Sequence, residues 1–148
     1  MLDRLVGRSR QVEGSFHQFL KQAAFDELEE EGYDLYVEPL EPPLERIAWS
    51  LYRPDLLGLA SDKTFLSLVL VECETNPDTR RMMGKTSKIR RSFTVQRRLG
   101  ERHLLRLLLV IPPGTLHRVS NRRVRRLWEI WIVDGTGGVM YKIPQLES

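Results

Sequence analysis

The chain has 148 residues, 41% hydrophobic and 29% charged, the balance of an ordinary globular protein and a length suited to a single domain, 1–148. No apolar run approaches the roughly 20 residues of a membrane span, and Met1-Leu2-Asp3-Arg4 does not begin a signal peptide, so a cytoplasmic location is expected. The lone Cys73 rules out an internal disulfide, no Cys/His cluster has zinc spacing, and the mild net charge of +3 hides a strong asymmetry. Residues 1–77 carry 7 basic and 15 acidic side chains, whereas residues 78–126 carry 15 basic and 2 acidic ones.

From about Arg10 to Glu31, Val12, Phe16, Phe19, Leu20, Ala23 and Leu28 recur at helical spacing, and Gly32 supplies a stop. Tyr33 to Val37 has strand composition and closes on the Pro-rich stretch Glu38 to Pro43. Ile47 to Tyr52 extends or precedes the next strand. Asp55 to Ala60 and Thr64 to Thr75 are two apolar segments separated by Ser61-Asp62-Lys63. The run Phe65 to Val71 is nearly continuous, as in a central strand buried on both faces. Asn76-Pro77-Asp78 breaks that strand and starts a helix expected to reach about Arg98, with Met82, Thr86, Ile89 and Phe93 as its less polar stripe. His103 to Ile111 reads as another buried strand, stopped by Pro112-Pro113-Gly114. Val119 to Leu127 forms a short basic helix or loop, Trp128 to Asp134 a strand, and Gly135-Thr136-Gly137-Gly138 a turn into Val139 to Ile143.

Three carboxylates sit at the ends of the two apolar segments, in Arg53-Pro54-Asp55 and Val71-Glu72-Cys73-Glu74-Thr75. Alternate strand residues share a face, so Glu72 and Glu74 point one way and Cys73 the other. A tight hairpin at Ser61 to Lys63 places Asp55 level with Leu70 to Glu72. Each acid alone would suit a solvent-facing strand end. Together in this register, Asp55, Glu72 and Glu74 suit a hard divalent ion such as Mg²⁺ (or Mn²⁺), which prefers carboxylates and water and promotes phosphate displacement.

Pro54-Asp55, then Glu72-x-Glu74 at the end of an apolar strand, then a basic helix, resembles the PD-(D/E)xK nuclease superfamily, which includes restriction endonucleases and archaeal Holliday-junction resolvases. The resemblance spans about residues 10 to 112. It implies a restriction-endonuclease-like α/β fold, with a mixed central sheet flanked by helices, an α-β-β-β-α-β core and additional C-terminal strands. It also implies that Asp55 and Glu72 are metal ligands. Glu74 falls where the family usually has its lysine, so Glu74 holds metal or orients water. Lys85 or Lys88, three residues apart on one face of the following helix, supplies the positive charge, although both also suit phosphate contact or plain solvation. Glu13, on the first helix, resembles a further acid that some relatives place there.

The basic residues form two clusters: Arg80, Arg81, Lys85, Lys88, Arg90 and Arg91, then Arg118, Arg122, Arg123, Arg125 and Arg126. Their density suits the phosphate backbone, and arginine suits bidentate phosphate contact. No zinc finger or helix-turn-helix accompanies them, so a reader of backbone or structure is expected rather than a reader of sequence. The expected activity is metal-dependent hydrolysis of DNA phosphodiesters, and a homodimer would provide two sites for two strands. The alternatives are a catalytically inactive nucleic-acid-binding module of the same fold, or a protein-interaction subunit. Gly84-Lys85-Thr86 lacks the glycine-rich loop of a P-loop. Cys73 reads as a small buried hydrophobe, and His17, His103 and His117 as structural or surface residues. Trp128 and Trp131 read as core or interface residues, with base stacking by Trp128 as a lesser option.

Overall fold

The computed structural model describes residues 14–50, 52–62 and 64–147. Helix α1, Ser15–Glu30, buries Leu20, Ala23, Ala24, Phe25 and Leu28 along one side. It ends as expected at Gly32: a φ of 98° lets the chain turn back, and the Tyr33 N–H reaches the Leu28 carbonyl at 3.1 Å. Strand β1, Asp34–Val37, is an edge strand. Strands β3, Leu56–Ser61, and β4, Phe65–Cys73, form an antiparallel hairpin whose turn is closed by Asp62 N–H on the Phe65 carbonyl at 2.9 Å. At Gly58, opposite Val69, a Cβ would lie 2.6 Å from Val69 Cγ1, so only glycine fits this approach.

From β4 the chain crosses through helix α2, Thr79–Ser92, to strand β6, Arg102–Ile111, which is parallel to β4. A second crossover contains a 3₁₀ turn, Leu116–Arg118, and helix α3, Arg122–Leu127, and leads to β7, Glu129–Val133, parallel to β6. Strand β8, Val139–Ile143, returns antiparallel. The result is a mixed six-stranded sheet, β1-β3-β4-β6-β7-β8, in an α/β fold with helices on both faces. One apolar core lies between the sheet and α1, including Phe25, Val69, Val71, Cys73 and Trp131. The other lies beneath α2 and α3, including Leu70, Met82, Ile89, Val124 and Trp128. The continuous burial of β4 follows from its place between β3 and β6 with cores on both faces.

Two expectations need correction. The second long helix ends at Ser92, not near Arg98, because Phe93 turns extended and Thr94–Val95 forms strand β5. Its partner is strand β2, Ile47–Ala48, so this stretch does not extend the main sheet but builds a separate two-stranded ribbon. The ribbon is secured by Phe93, which stacks on Trp49 with ring centroids 6.1 Å apart. The basic segment expected from Val119 to about Leu127 as a helix or loop contains helix α3, and the 3₁₀ turn precedes it. Among the described residues no helix is long and apolar enough to cross a membrane.

Candidate functional site

The β3–β4 register pairs Leu56 with Val71, and the Asp55 N–H donates to the Val71 carbonyl at 3.1 Å, which sets Asp55 opposite Glu72. This is the Glu72 end of the expected interval. Asp55 Oδ2 accepts the Cys73 N–H at 2.8 Å. His17, from α1, brings Nε2 to 3.5 Å from the same oxygen and to 2.6 Å from the Cys73 carbonyl. A carbonyl oxygen only accepts, so His17 Nε2 carries its proton. Alternation along β4 holds as expected: Cys73 is buried in the α1-side core, while Glu72 and Glu74 both reach α2.

Glu72 is 3% exposed, yet both carboxylate oxygens have donors. The Tyr52 hydroxyl donates to Oε2 at 2.6 Å, and Lys85 Nζ donates to Oε1. Lys85 also donates to Glu74 Oε2 at 2.8 Å, and Arg81 Nε lies 3.3 Å from Glu74 Oε1. Arg81 and Lys85 are one helical turn apart on α2, whose start is fixed by Asp78 accepting the Arg81 N–H at 3.2 Å. The helix therefore delivers two cations to acids presented by the strand.

Burial, and next the charge of Asp55, push Glu72 up to about 7, against the opposing pull of Lys85 and Tyr52. Burial would also raise Asp55, but donation from His17 and the Cys73 N–H, together with the charges of His17 and Lys21, outweighs it and holds Asp55 below the usual carboxylate range. Burial alone would lower Lys85; Glu72 and Glu74 reverse that and raise it, so its ammonium stays charged. Burial and the Glu72 carboxylate push the Tyr52 phenol well above its ordinary value, making it a lasting donor. Two facing carboxylates thus have proton affinities driven apart by different surroundings.

The site residues expected from sequence fare differently. Asp55, Glu72, Glu74 and Lys85 are brought together. Lys88 is not: it is exposed one turn further along α2, away from the acids. Glu13 lies outside the described residues. Arg80, Arg90, Arg91, Arg122, Arg123 and Arg126 are exposed, Arg125 is half-buried, and Arg81 is engaged by Glu74. Helices α2 and α3 cover the same face of the sheet, so the two arginine clusters share one side of the molecule. Arg118 donates to Asn76, beside the start of α2. Sequence reasoning missed Tyr52 and treated His17 as structural or surface; both touch the acids. A phenol three residues before Asp55 was the available signal for Tyr52. Base stacking by Trp128 is overturned, because its ring is fully buried and its indole N–H donates to Thr86 Oγ1 at 2.8 Å.

Among the described residues, no group of three or more His, Cys, Asp or Glu side chains forms a metal cluster. The facing pair Asp55 and Glu72 nevertheless suits Mg²⁺, which is commonly held by one or two carboxylates and completed by waters and substrate phosphates. Burial first, and next the charge of Asp55, raises Glu72, and a cation between the two acids would relieve that second influence.

No protein-family model matches the chain, and no curated protein matches it by sequence. Among solved structures, it is similar to an XisH family protein from Nostoc punctiforme PCC 73102, at 19% identity and a TM-score of 0.44, covering 86% of this chain and 98% of that one. It is also similar to an fdxN element excision controlling factor protein from Anabaena variabilis, at 12% identity and a TM-score of 0.45, covering 84% of this chain and 98% of that one.

Proposed function

We propose that the chain is a PD-(D/E)xK-type nuclease that hydrolyses DNA phosphodiester bonds with Mg²⁺ or Mn²⁺, reading backbone or structure rather than sequence. The observation that carries this reading is Lys85 of α2 joining Glu72 and Glu74 beside Asp55. It supplies from a helix the cation that the resemblance expects at the strand position occupied by Glu74.

Asp55 and Glu72 would hold the ion. When bound, such an ion acidifies a water and offsets charge on the phosphate oxygens. Lys85 acts as donor and positive charge, not as a base, because its raised proton affinity keeps it an ammonium. Tyr52 fixes one oxygen of Glu72, and Glu74 with Arg81 holds the Lys85 side of the cluster. The exposed arginines of α2 and α3 bind phosphates and orient the strand.

A second reading has its own support: both oxygens of Glu72 are occupied by Tyr52 and Lys85, as expected of a binding module whose ion pair has replaced catalysis. A cleavage panel of duplex, junction, flap, single-stranded DNA and RNA, with Mg²⁺ and Mn²⁺, separates the two when wild type is compared with Asp55→Ala. The nuclease gives cleavage that needs both the ion and Asp55. Salt-sensitive binding without such cleavage of any substrate overturns the nuclease and supports the binding module.

A further inference from the structure

We propose that the groove between Pro43–Arg46 and Gln96–Arg98 is a second nucleic-acid site, which takes the phosphodiester backbone flanking the stretch held at the acids. The proposal rests on the nucleic-acid part of the reading above and goes beyond it by placing contacts outside both arginine clusters. The groove has a volume of about 680 Å³. Its two walls flank the β2–β5 ribbon in sequence and are tied together where the Gln96 N–H donates to the Arg46 carbonyl at 2.8 Å. Arg46 does not serve as a free cation, because Glu101 grips its guanidinium with two oxygens, one at 2.8 Å. Glu101 also contacts His103 Nε2 at 2.7 Å, and Arg46 first and His103 next hold its carboxyl down at about 2. This network is neutralised from within and makes a fixed wall.

Arg97 and Arg98 remain. Both are exposed, line the groove, and have no carboxylate partner among the described residues. Glu45 is the acid on the opposite rim, so an anion is favoured on the Arg97–Arg98 side. A flexible amide donor, Gln96, lies beside them. Paired guanidiniums with an amide donor suit phosphate oxygens, and apolar cargo has little to bind here.

Location links the groove to the acids. On α2, Arg81, Lys85, Lys88 and Ser92 fall at i, i+4, i+7 and i+11, one stripe along the helix. The stripe starts at Glu74 and Glu72 and ends where Phe93 enters the ribbon. Ser92 lies about 10 Å further along the axis than Lys85 at 1.5 Å per residue. A duplex advances about 3.4 Å per base pair along each strand, so the groove lies about three or more base pairs from the acids. Lys88, set apart from the acids, sits between the two contact regions.

The test measures binding of a DNA duplex of about 30 base pairs by fluorescence anisotropy over a salt series, with wild type and Arg97→Ala/Arg98→Ala. Both side chains are exposed, and an unchanged melting temperature checks that the fold is intact. Loss of two phosphate contacts lowers the slope of log K against log salt by about 1.8 and weakens binding several-fold at low salt. Equal affinity and slope for wild type and variant on the long duplex overturn the groove while leaving the nuclease standing. The expected slope change without any Asp55-dependent cleavage supports the groove and overturns the nuclease. A wild type that binds no duplex at low salt overturns the groove.

Discussion

Lys85→Met isolates the charge at the centre of the site while keeping chain length and apolar bulk. An exposed ion pair is worth about 0–1 kcal/mol, and breaking a buried one by removing a single partner costs about 3–5 kcal/mol. The Lys85 side chain is 22% exposed, while those of Glu72 and Glu74 are 4% and 9% exposed. The acids left behind are therefore nearly dry, and the expected loss at pH 8 is near the lower buried value, about 3 kcal/mol. At pH 5.5 Glu72, with its value of about 7, is already protonated in wild type, so little of its bond to Lys85 remains to be lost. The loss there falls to about 1 kcal/mol, from Glu74 alone. Chemical denaturation at the two pH values measures this difference. Glu72→Gln in the Lys85→Met background restores stability at pH 8, because it removes the stranded charge. Cleavage by Lys85→Met falls by about 10²–10³-fold if Lys85 stabilises developing negative charge. The same loss at both pH values, with no recovery from Glu72→Gln, would refute the coupling.

Lys88→Ala is the matched control: it leaves cleavage of a short duplex within twofold and stability within about 0.5 kcal/mol, and a loss equal to that of Lys85→Met would reassign the cation. Tyr52→Phe removes the phenol donor from Glu72 Oε2, so Glu72 titrates above about 7 by NMR and Mn²⁺ affinity by calorimetry falls about 10–100-fold. Unchanged values for both would leave Tyr52 a packing residue only. Wild type loses stability as pH rises from the ordinary carboxylate range to about 7, by about 3 kcal/mol, because over that range the folded state retains a proton that the unfolded state has released. Mg²⁺ or Mn²⁺ reverses this loss above pH 7, giving a larger rise in melting temperature at pH 8 than at pH 5.5. Equal shifts at the two values would mean that the ion does not bind ionised Glu72.

The parts of the site legible in the sequence are those fixed by local rules. Asp55, Glu72 and Glu74 were found because a hairpin sets register and a strand alternates its faces. The choice between Lys85 and Lys88 depends instead on how α2 is rotated over the sheet. That rotation was encoded but unused: Lys85 lies three residues after buried Met82 and four before buried Ile89, on the flank of the core stripe, while Lys88 is turned further toward solvent. The end of α2 was missed for a different reason. Thr94 and Val95 are β-branched, but they form a strand only because Ile47 and Ala48, distant in sequence, offer an edge. His17 was beyond local reasoning altogether, since its contact with Cys73 spans 56 residues and needs α1 docked on the sheet. The acids therefore belong to one hairpin, while their donors and cations come from separate layers on opposite faces. Docking of α1 and α2 both buries the acids and supplies their donors and cations, so loosening either helix shifts the proton affinity of the acid it serves. A core truncation such as Ile89→Ala under α2 then acts on Glu72 more than on Asp55, and NMR titration of the two carboxylates distinguishes that local coupling from uniform loosening of the domain.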